Sequence, residues 1–297
     1  MQANSTLADL LHHGAFDGFA RRLLPWDGRV YDERLPLREI GSLLPYHSHV
    51  EVESTIPPLN HLIDDVAAGG QVFYDIYNGA EKRADPSKEH TGLFYLRGRN
   101  DAPFCVIAPG GGFAYVASVH EGLPYAHEIS RLGLNAFVLK YRAGLGARLA
   151  TEDLARALSH VFENAASLGV ATAGYSLWGS SAGARMAAAV GSQGPSAFGG
   201  VGLPKPSSVI MAYTGHQDHA SIEPPTFAVV GERDGIAPPA VMARRIRALQ
   251  AVGTDVEFHI FPGLEHGFGL GIGTSAQGWV ERAVRFWRKQ LDRKDAR

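Results

Sequence analysis

The chain has 297 residues, of which 45% are hydrophobic and 20% are charged, and its formal net charge is −2 at pH 7. This length fits one large α/β domain, and the hydrophobic share excludes a wholly disordered protein. The balanced charge provides no basic surface for a nucleic-acid backbone or an anionic membrane, so we expect neither as a partner.

The N-terminal sequence lacks the pattern of a signal peptide. No basic residue precedes an apolar run, and Asp9, His12 and His13 interrupt the longest apolar stretch. No run in the chain reaches the roughly eighteen apolar residues of a membrane span. We therefore expect a cytoplasmic protein. The single cysteine, Cys105, lies among apolar residues and is predicted to be a buried core residue.

The first 70 residues differ from the rest of the chain. Prolines divide them into short pieces, with helical stretches predicted over Leu7–Phe19 and Pro58–Val66 and no convincing strand. Apolar side chains such as Phe16 and Trp26 are too frequent for a disordered tail, so we expect a helical extension packed on a main domain of residues 71–297. Three roles stay open for it: a lid, a brace on the sheet, or a contact within a homo-oligomer.

From about residue 72 onward, short apolar runs alternate with segments of helical period. Strands are predicted over Val72–Tyr77, Leu93–Leu96, Phe104–Ala108, Ala136–Tyr141, Tyr175–Trp178, Val209–Tyr213, Phe227–Val230 and Val256–Phe261. Helices are predicted over Thr151–Leu168, Val241–Leu249 and Val280–Trp287. This alternation predicts the α/β class, with a mostly parallel central sheet and helices on both faces.

The strongest motif is Gly179-Ser-Ser-Ala-Gly183, directly after the fifth predicted strand. A G-x-S-x-G sequence places its serine on a strained turn, and glycines two positions on either side let neighbouring segments approach. Ser181 meets this spacing, whereas Ser180 does not, because Trp178 and Ala182 would occupy the glycine positions. Ser181 is therefore the predicted nucleophile, and the Ala182 N–H a predicted oxyanion donor. The alternative is a glycine-rich loop without a catalytic role.

A second glycine motif, Pro109-Gly-Gly-Gly-Phe113, follows the strand Phe104–Ala108. Glycines at this place let the backbone turn N–H groups toward a ligand, so Gly111 and Gly112 are predicted to complete an oxyanion hole. A phosphate-binding loop is excluded, because Tyr115 stands where G-x-G-x-x-G needs glycine and no G-K-[ST] follows a glycine loop. We expect no cofactor.

A serine nucleophile needs a histidine base, and the base needs an orienting carboxylate. His266 follows the last predicted strand, and Asp234 follows the strand Phe227–Val230. Both are therefore predicted to complete a triad with Ser181. Glu232 and Glu265 are alternative acids, which we expect to be charges at the rim because acidic loop residues usually face water.

Together these motifs resemble the α/β-hydrolase superfamily, and within it the carbohydrate acetyl esterases and acetylxylan-esterase-like carboxylesterases. The matching pieces are Pro109–Phe113, Glu121-Gly122, Val138–Arg142, Gly179–Gly183, Glu232–Asp234 with Pro238, and His259–Gly263 leading to His266–Phe268. Pro109 replaces the histidine of H-G-G-G, which separates the chain from the hormone-sensitive-lipase-like branch. The resemblance implies the α/β-hydrolase fold and short acyl groups, acetyl above all, on a sugar or similar alcohol.

Aromatic residues on the turns beside the predicted triad are expected to line the substrate pocket: Phe113, Tyr115 and Phe268. His216 is a further candidate contact, since it follows the strand Val209–Tyr213, while Trp178 is expected in the core. The paired histidines at 12–13, 47–49 and 216–219 lack a third ligand at a spacing that fixes a geometry, so no metal site is expected.

The sequence thus predicts a serine carboxylic-ester hydrolase that acts on a small-molecule ester through an acyl-enzyme intermediate. Two alternatives stay open. One is a peptidase of the same fold, although such enzymes usually carry an additional domain. The other is a non-catalytic protein of this fold that binds a ligand.

Overall fold

The computed structural model describes residues 1–295, which are built around an eight-stranded sheet. The strands are β1 (Phe73–Tyr74), β2 (Gly92–Leu96), β3 (Ala102–Ala108), β4 (Asn135–Lys140), β5 (Val170–Ser180), β6 (Ser208–Ala212), β7 (Thr226–Gly231) and β8 (Val256–Phe261). Their spatial order is β1-β2-β4-β3-β5-β6-β7-β8. β1 and β2 pair antiparallel with their neighbours, and the pairs from β4 to β8 are parallel, which confirms the predicted α/β class.

Each predicted strand overlaps an observed one, and the first is much shorter than expected. The prediction covered Val72–Tyr77, whereas β1 has two residues. Val72 and Ile76 are buried in the core on either side of it. Asn78 then caps helix α4 (Gly79–Ala84) by accepting two backbone N–H groups of its first turn, which ends the extended segment.

The other helices after residue 70 are α5 (Leu123–Arg131), α6 (Ala147–Glu163), α7 (Ala165–Leu168), α8 (Ala182–Gln193), α9 (Pro239–Ala251) and α10 (Trp279–Asp295). The predicted helices near the C-terminus fall within α9 and α10. The helix predicted over Thr151–Leu168 is interrupted at Asn164, which separates α6 from α7. Helix α6 packs on α8, and α5 packs on α10. Over residues 1–295, no helix is both long and apolar enough to cross a membrane.

The first 70 residues form the helices α1 (Leu7–Leu11), α2 (Ala20–Leu23) and α3 (Val52–Ala67), with 3-10 turns at Gly14–Phe16 and Leu37–Leu43. The prediction over Leu7–Phe19 was too long, because α1 ends at Leu11. The prediction over Pro58–Val66 was too short, because Pro57 and Pro58 lie inside α3. Pro58 lies on the buried face of α3 with Leu59 and Leu62, whereas Pro57 is exposed.

This N-terminal extension shares its core with the sheet. Phe19 stacks on Phe73 of β1 at a ring-centroid distance of 4.8 Å. Lys140 at the end of β4 is fully buried, and its ammonium donates to the carbonyls of Leu24 and Pro25 and lies 3.1 Å from Asp27. Since a buried ammonium needs partners, the extension satisfies a charge that the sheet alone would leave unpaired.

The order of the strands determines where the loops meet. β3 has β4 on one side and β5 on the other, so the direction of winding reverses there. In such sheets ligands bind beyond the carboxyl ends of the strands at the reversal. The loop after β3 holds Gly110–Gly112, and the turn after β5 holds Ser181.

Candidate active site

Ser181 occupies the tight turn between β5 and α8. Its backbone φ is 51° and its ψ is −114°, a strained conformation for a residue with a side chain. A Cβ atom on Gly179 would lie 2.3 Å from the carbonyl carbon of Gly183, and one on Gly183 would lie 1.8 Å from the carbonyl oxygen of Ala108. Both glycines are therefore required by the close packing of β3, β5 and α8 around the serine.

Ser181, His266 and Asp234 come together at the carboxyl edge of the sheet. His266 Nε2 lies 2.9 Å from Ser181 Oγ, and His266 Nδ1 lies 2.8 Å from Asp234 Oδ2. The other carboxylate oxygen, Asp234 Oδ1, accepts the N–H groups of Ile236 and Ala237 at 2.9 and 2.6 Å. The fixed carboxylate favours the imidazole tautomer with hydrogen on Nδ1, which leaves Nε2 free to take the serine proton.

The alternative acids lie elsewhere. Glu232 is exposed, and its Oε2 accepts the N–H of Gly263 at 2.9 Å. Glu265 is also exposed. In the part of the chain that the structure describes, Asp234 is the one carboxylate within ion-pair distance of His266.

The glycine loop after β3 presents backbone N–H groups beside Ser181. Gly111 and Gly112 have φ angles of 128° and 63°, which glycine adopts readily. Between residues 1 and 295, the N–H groups of Gly111, Gly112 and Ala182 find no hydrogen-bond acceptor. Gly112 and Ala182 line the same cleft as Ser181, whereas Gly111 is buried in the loop. Free N–H groups at such a place can stabilise an oxyanion.

Buried polar side chains form a series beneath Ser181. The Ser180 hydroxyl donates to the Tyr125 hydroxyl at 3.3 Å. The Tyr125 hydroxyl in turn lies 2.8 Å from the Tyr213 hydroxyl. Tyr213 donates to Glu121 Oε1 at 2.7 Å, and Glu121 Oε2 accepts the N–H of Gly110 at 2.6 Å. Glu121 therefore links the hydroxyl series to the start of the glycine loop.

The N-terminal extension adds His47 to this series. Its side chain is 1% exposed, with Nδ1 at 2.9 Å from the Tyr115 hydroxyl. Nε2 lies 3.0 Å from Glu121 Oε1, within ion-pair distance but off the line of a hydrogen bond. Burial alone would raise the pKa of Glu121, but nearby His47, His120 and the Tyr213 hydroxyl lower it to about 2. We call the set Ser180, Tyr125, Tyr213, Glu121 and His47 the floor network.

The loop that carries His266 is held from the same side. Ser48 of the extension donates its hydroxyl to the His266 carbonyl at 2.8 Å and its N–H to the Gly267 carbonyl at 3.1 Å. His120 Nε2 lies 2.9 Å from the Gly267 carbonyl. Because a carbonyl only accepts, His120 carries its hydrogen on Nε2. Burial lowers the pKa of His120 to about 4, so this imidazole is neutral at pH 7.

An open cleft of about 450 Å³ lies above Ser181. Its lining is mostly polar or small and consists of Gly112, Phe113, Ser181, Ala182, Arg185, Thr214, Gly215, His216, Gln217, Asp218, Ile236, Ala237 and His266. Two of the four predicted pocket residues, Phe113 and His216, lie in this lining. Tyr115 and Phe268 are fully buried behind it, where Tyr115 meets His47 and Phe268 packs on Tyr213. Trp178 is in the core, as expected.

Sequence reasoning gave no functional role to Glu121, His47 or His120. Glu121 entered only through the resemblance, and His47 only as one of the paired histidines. A signal was present, because Glu121 lies two positions from each of the apolar residues Val119 and Leu123, and a charge that is buried among such residues requires a partner. Within residues 1–295, no group of three His, Cys, Asp or Glu side chains is arranged to hold a metal ion.

Solved structures with this architecture include several hydrolases. The acetyl ester-xyloside bifunctional hydrolase of Caldicellulosiruptor lactoaceticus aligns with a TM-score of 0.63 and 20% identity, over 73% of this chain and 95% of that chain. An α/β hydrolase from a Medee basin deep-sea metagenome library aligns with a TM-score of 0.58 and 22% identity, over 68% and 93% of the two chains. The chain has the α/β-hydrolase fold. A carboxylesterase from Lactobacillus plantarum WCFS1 shares it, with a TM-score of 0.57 and 19% identity, over 67% of this chain and 92% of that chain.

A sequence model of the prolyl oligopeptidase family matches residues 210–294. This segment of the α/β-hydrolase fold contains Asp234 and His266 but not Ser181. No curated protein has significant sequence similarity to the chain. The similarity to the solved structures confirms, at the level of the fold, the resemblance noted from the motifs.

Proposed function

We propose that this protein is a serine hydrolase of carboxylic esters. The observation that carries the proposal is the series of hydrogen bonds from Asp234 through His266 to Ser181 Oγ at the base of an open cleft. A strained serine turn and free N–H groups beside it supply the other parts that acyl transfer needs. The similarity to structures named as esterases supports an ester as the bond that is cleaved.

In the proposed reaction, Ser181 Oγ attacks the ester carbonyl while His266 Nε2 takes the hydroxyl proton. The N–H groups of Gly111, Gly112 and Ala182 stabilise the oxyanion, and His266 then gives the proton to the departing alcohol. A water molecule attacks the resulting acyl-enzyme, with His266 accepting its proton and returning it to Ser181. The acid leaves and the enzyme is restored.

Short acyl groups, acetyl in particular, are the proposed substrates, on a sugar or similar alcohol. Phe113 and Ile236 are the large apolar side chains in the cleft lining, so little apolar surface is available for a long chain. A structurally similar protein is named an acetyl ester-xyloside hydrolase, which supports this substrate class without fixing the alcohol.

For the N-terminal extension we propose the role of a brace. None of residues 1–70 lines the cleft, although Tyr46 lies near Gly112 at its edge. The extension instead contacts the site from below, where His47 meets Glu121 and Ser48 holds the loop of His266. A brace of this kind keeps catalytic groups in position rather than controlling entry.

The first test measures initial hydrolysis rates for 4-nitrophenyl esters from acetate to dodecanoate, with Ser181→Ala and Ser180→Ala as matched variants. We expect the rate to fall after butanoate, and Ser181→Ala to lose at least about a thousandfold with the fold retained. A harmless Ser181→Ala would overturn the assignment of the nucleophile. Labelling by a fluorophosphonate tests the non-catalytic alternative, because a ligand-binding protein that does not activate Ser181 labels slowly.

A peptidase is the second candidate, favoured by the match to the prolyl oligopeptidase family over residues 210–294. Dipeptide 4-nitroanilides distinguish it from an esterase. Rapid cleavage of these amides, together with slow cleavage of every ester in the series, would replace the esterase proposal with this one.

A further inference from the structure

We propose that the cleft selects esters that carry a carboxylate or another anionic group near the scissile bond, and that Arg185 binds this group. The inference rests on the proposed ester hydrolysis and narrows its substrate class.

Arg185 lies on α8 one helical turn after Ser181, with its N–H bonded to the Ser181 carbonyl at 3.2 Å. Residues four apart on a helix share a face, so the guanidinium stands on the side of α8 that carries the nucleophile. Arg185 is exposed and lines the cleft. Among the residues that the structure describes, no carboxylate is within ion-pair distance of its side chain and no acceptor bonds to it.

The other side chains at the cleft that could carry a positive charge are either paired or neutral at pH 7. His266 is engaged with Asp234 and Ser181. Burial, followed by the nearby charge of Arg245, lowers the pKa of His216 to about 4, so His216 is neutral at pH 7. Arg245 itself is buried and lies 3.2 Å from Glu223. Within residues 1–295, Arg185 is thus the unpaired cation of the cleft lining.

Asp218 lines the same cleft from the loop after β6 and is exposed. It forms no ion pair with a described cation, so its carboxylate repels an anionic substrate. Arg185 and Asp218 therefore have opposite effects on the preference for anionic over neutral esters. Arginine is suited to the attractive role, since its planar guanidinium can bind a carboxylate through two parallel hydrogen bonds.

The experiment compares 4-nitrophenyl butanoate with mono-4-nitrophenyl succinate, which differ mainly in a terminal carboxylate. The measured quantity is the ratio of kcat/KM for the anionic ester to that for the neutral ester. We expect Arg185→Met to lower this ratio about tenfold or more, and Asp218→Asn to raise it. Arg247→Met is the matched control, because Arg247 is exposed on α9 outside the cleft, and it should leave the ratio unchanged.

An unchanged ratio in Arg185→Met, with Ser181-dependent hydrolysis of the neutral ester intact, would overturn this inference and leave the proposed function standing. If neither ester is hydrolysed, the proposed function fails. The role of Arg185 is then tested separately, by measuring the binding of an anionic ester. Calorimetry with monomethyl succinate then compares Ser181→Ala with Ser181→Ala/Arg185→Met. We expect binding to the first and at least about tenfold weaker binding to the second, and equal affinities would overturn the role of Arg185.

Discussion

The two sides of the site differ in how their polar groups are satisfied. Below Ser181, the hydrogen bonds of the floor network lead to the buried carboxylate of Glu121, which faces His47 and accepts a backbone N–H. Above Ser181, the cleft presents Arg185 and Asp218 to solvent without ion-pair partners in the described chain. A group that is already satisfied fixes geometry, whereas a free group is available to a substrate.

This difference separates two kinds of expected effect. Changes below Ser181 should lower kcat, because they alter the position of groups that act in the transition state and do not touch the substrate. Changes above it should alter KM and the choice of substrate. Each prediction below would sharpen or break this division.

The largest effect is expected from Asp234→Asn, where the triad meets the lower side. The amide preserves the shape of the side chain but favours the wrong imidazole tautomer, and kcat should fall by up to about ten-thousandfold. Steady-state kinetics with a short 4-nitrophenyl ester gives the value, and Glu232→Gln is the matched control. A large loss in Glu232→Gln with none in Asp234→Asn would transfer the role of the acid to Glu232.

The buried His120 predicts that the folded state is sensitive to acid. Its pKa falls from 6.5 to about 4 on folding, so the unfolded chain binds its proton first as the pH decreases. The contribution of His120 to the free energy of unfolding should therefore be complete above pH 6.5. It should decrease by about 3 kcal/mol between pH 6.5 and 4. Urea unfolding at a series of pH values measures the slope.

The comparison is with His120→Gln, which should have a shallower slope over this range whatever its stability at pH 7. His12→Gln, a change at an exposed histidine, should retain the slope of the unchanged protein. Equal slopes in all three proteins would mean that His120 is protonated to the same extent in the folded and unfolded states.

The sequence predicted the sheet and the turn of Ser181 better than the floor network or the cleft lining. The apolar runs of the strands and the glycines around Ser181 are local patterns, so their positions along the chain can be predicted from spacing. Tyr115 and Phe268 were expected in the pocket because they follow catalytic turns, but burial depends on the neighbours that later segments bring. The pairing of His47 with Glu121 joins residues 74 positions apart, and no local pattern specifies it.

The smallest effect is expected from His47→Ala, which tests whether the extension acts on catalysis through the floor network. Removing the imidazole leaves Glu121 without the side chain that faces its carboxylate, so the carboxylate and the glycine loop bonded to it should shift slightly. We expect kcat to fall about tenfold with KM nearly unchanged. His12→Ala, also in the extension but exposed, is the control for general loss of stability.

A double-mutant cycle makes this test specific. If His47 acts through Glu121, then adding His47→Ala to Glu121→Gln should cost much less than His47→Ala costs alone, because the carboxylate that His47 faces is already gone. Independent contributions would instead multiply, which would show that His47 affects the site by another route, such as its contact with Tyr115. A rise in KM without a change in kcat would place His47 among the groups that bind substrate and would break the division between the two sides.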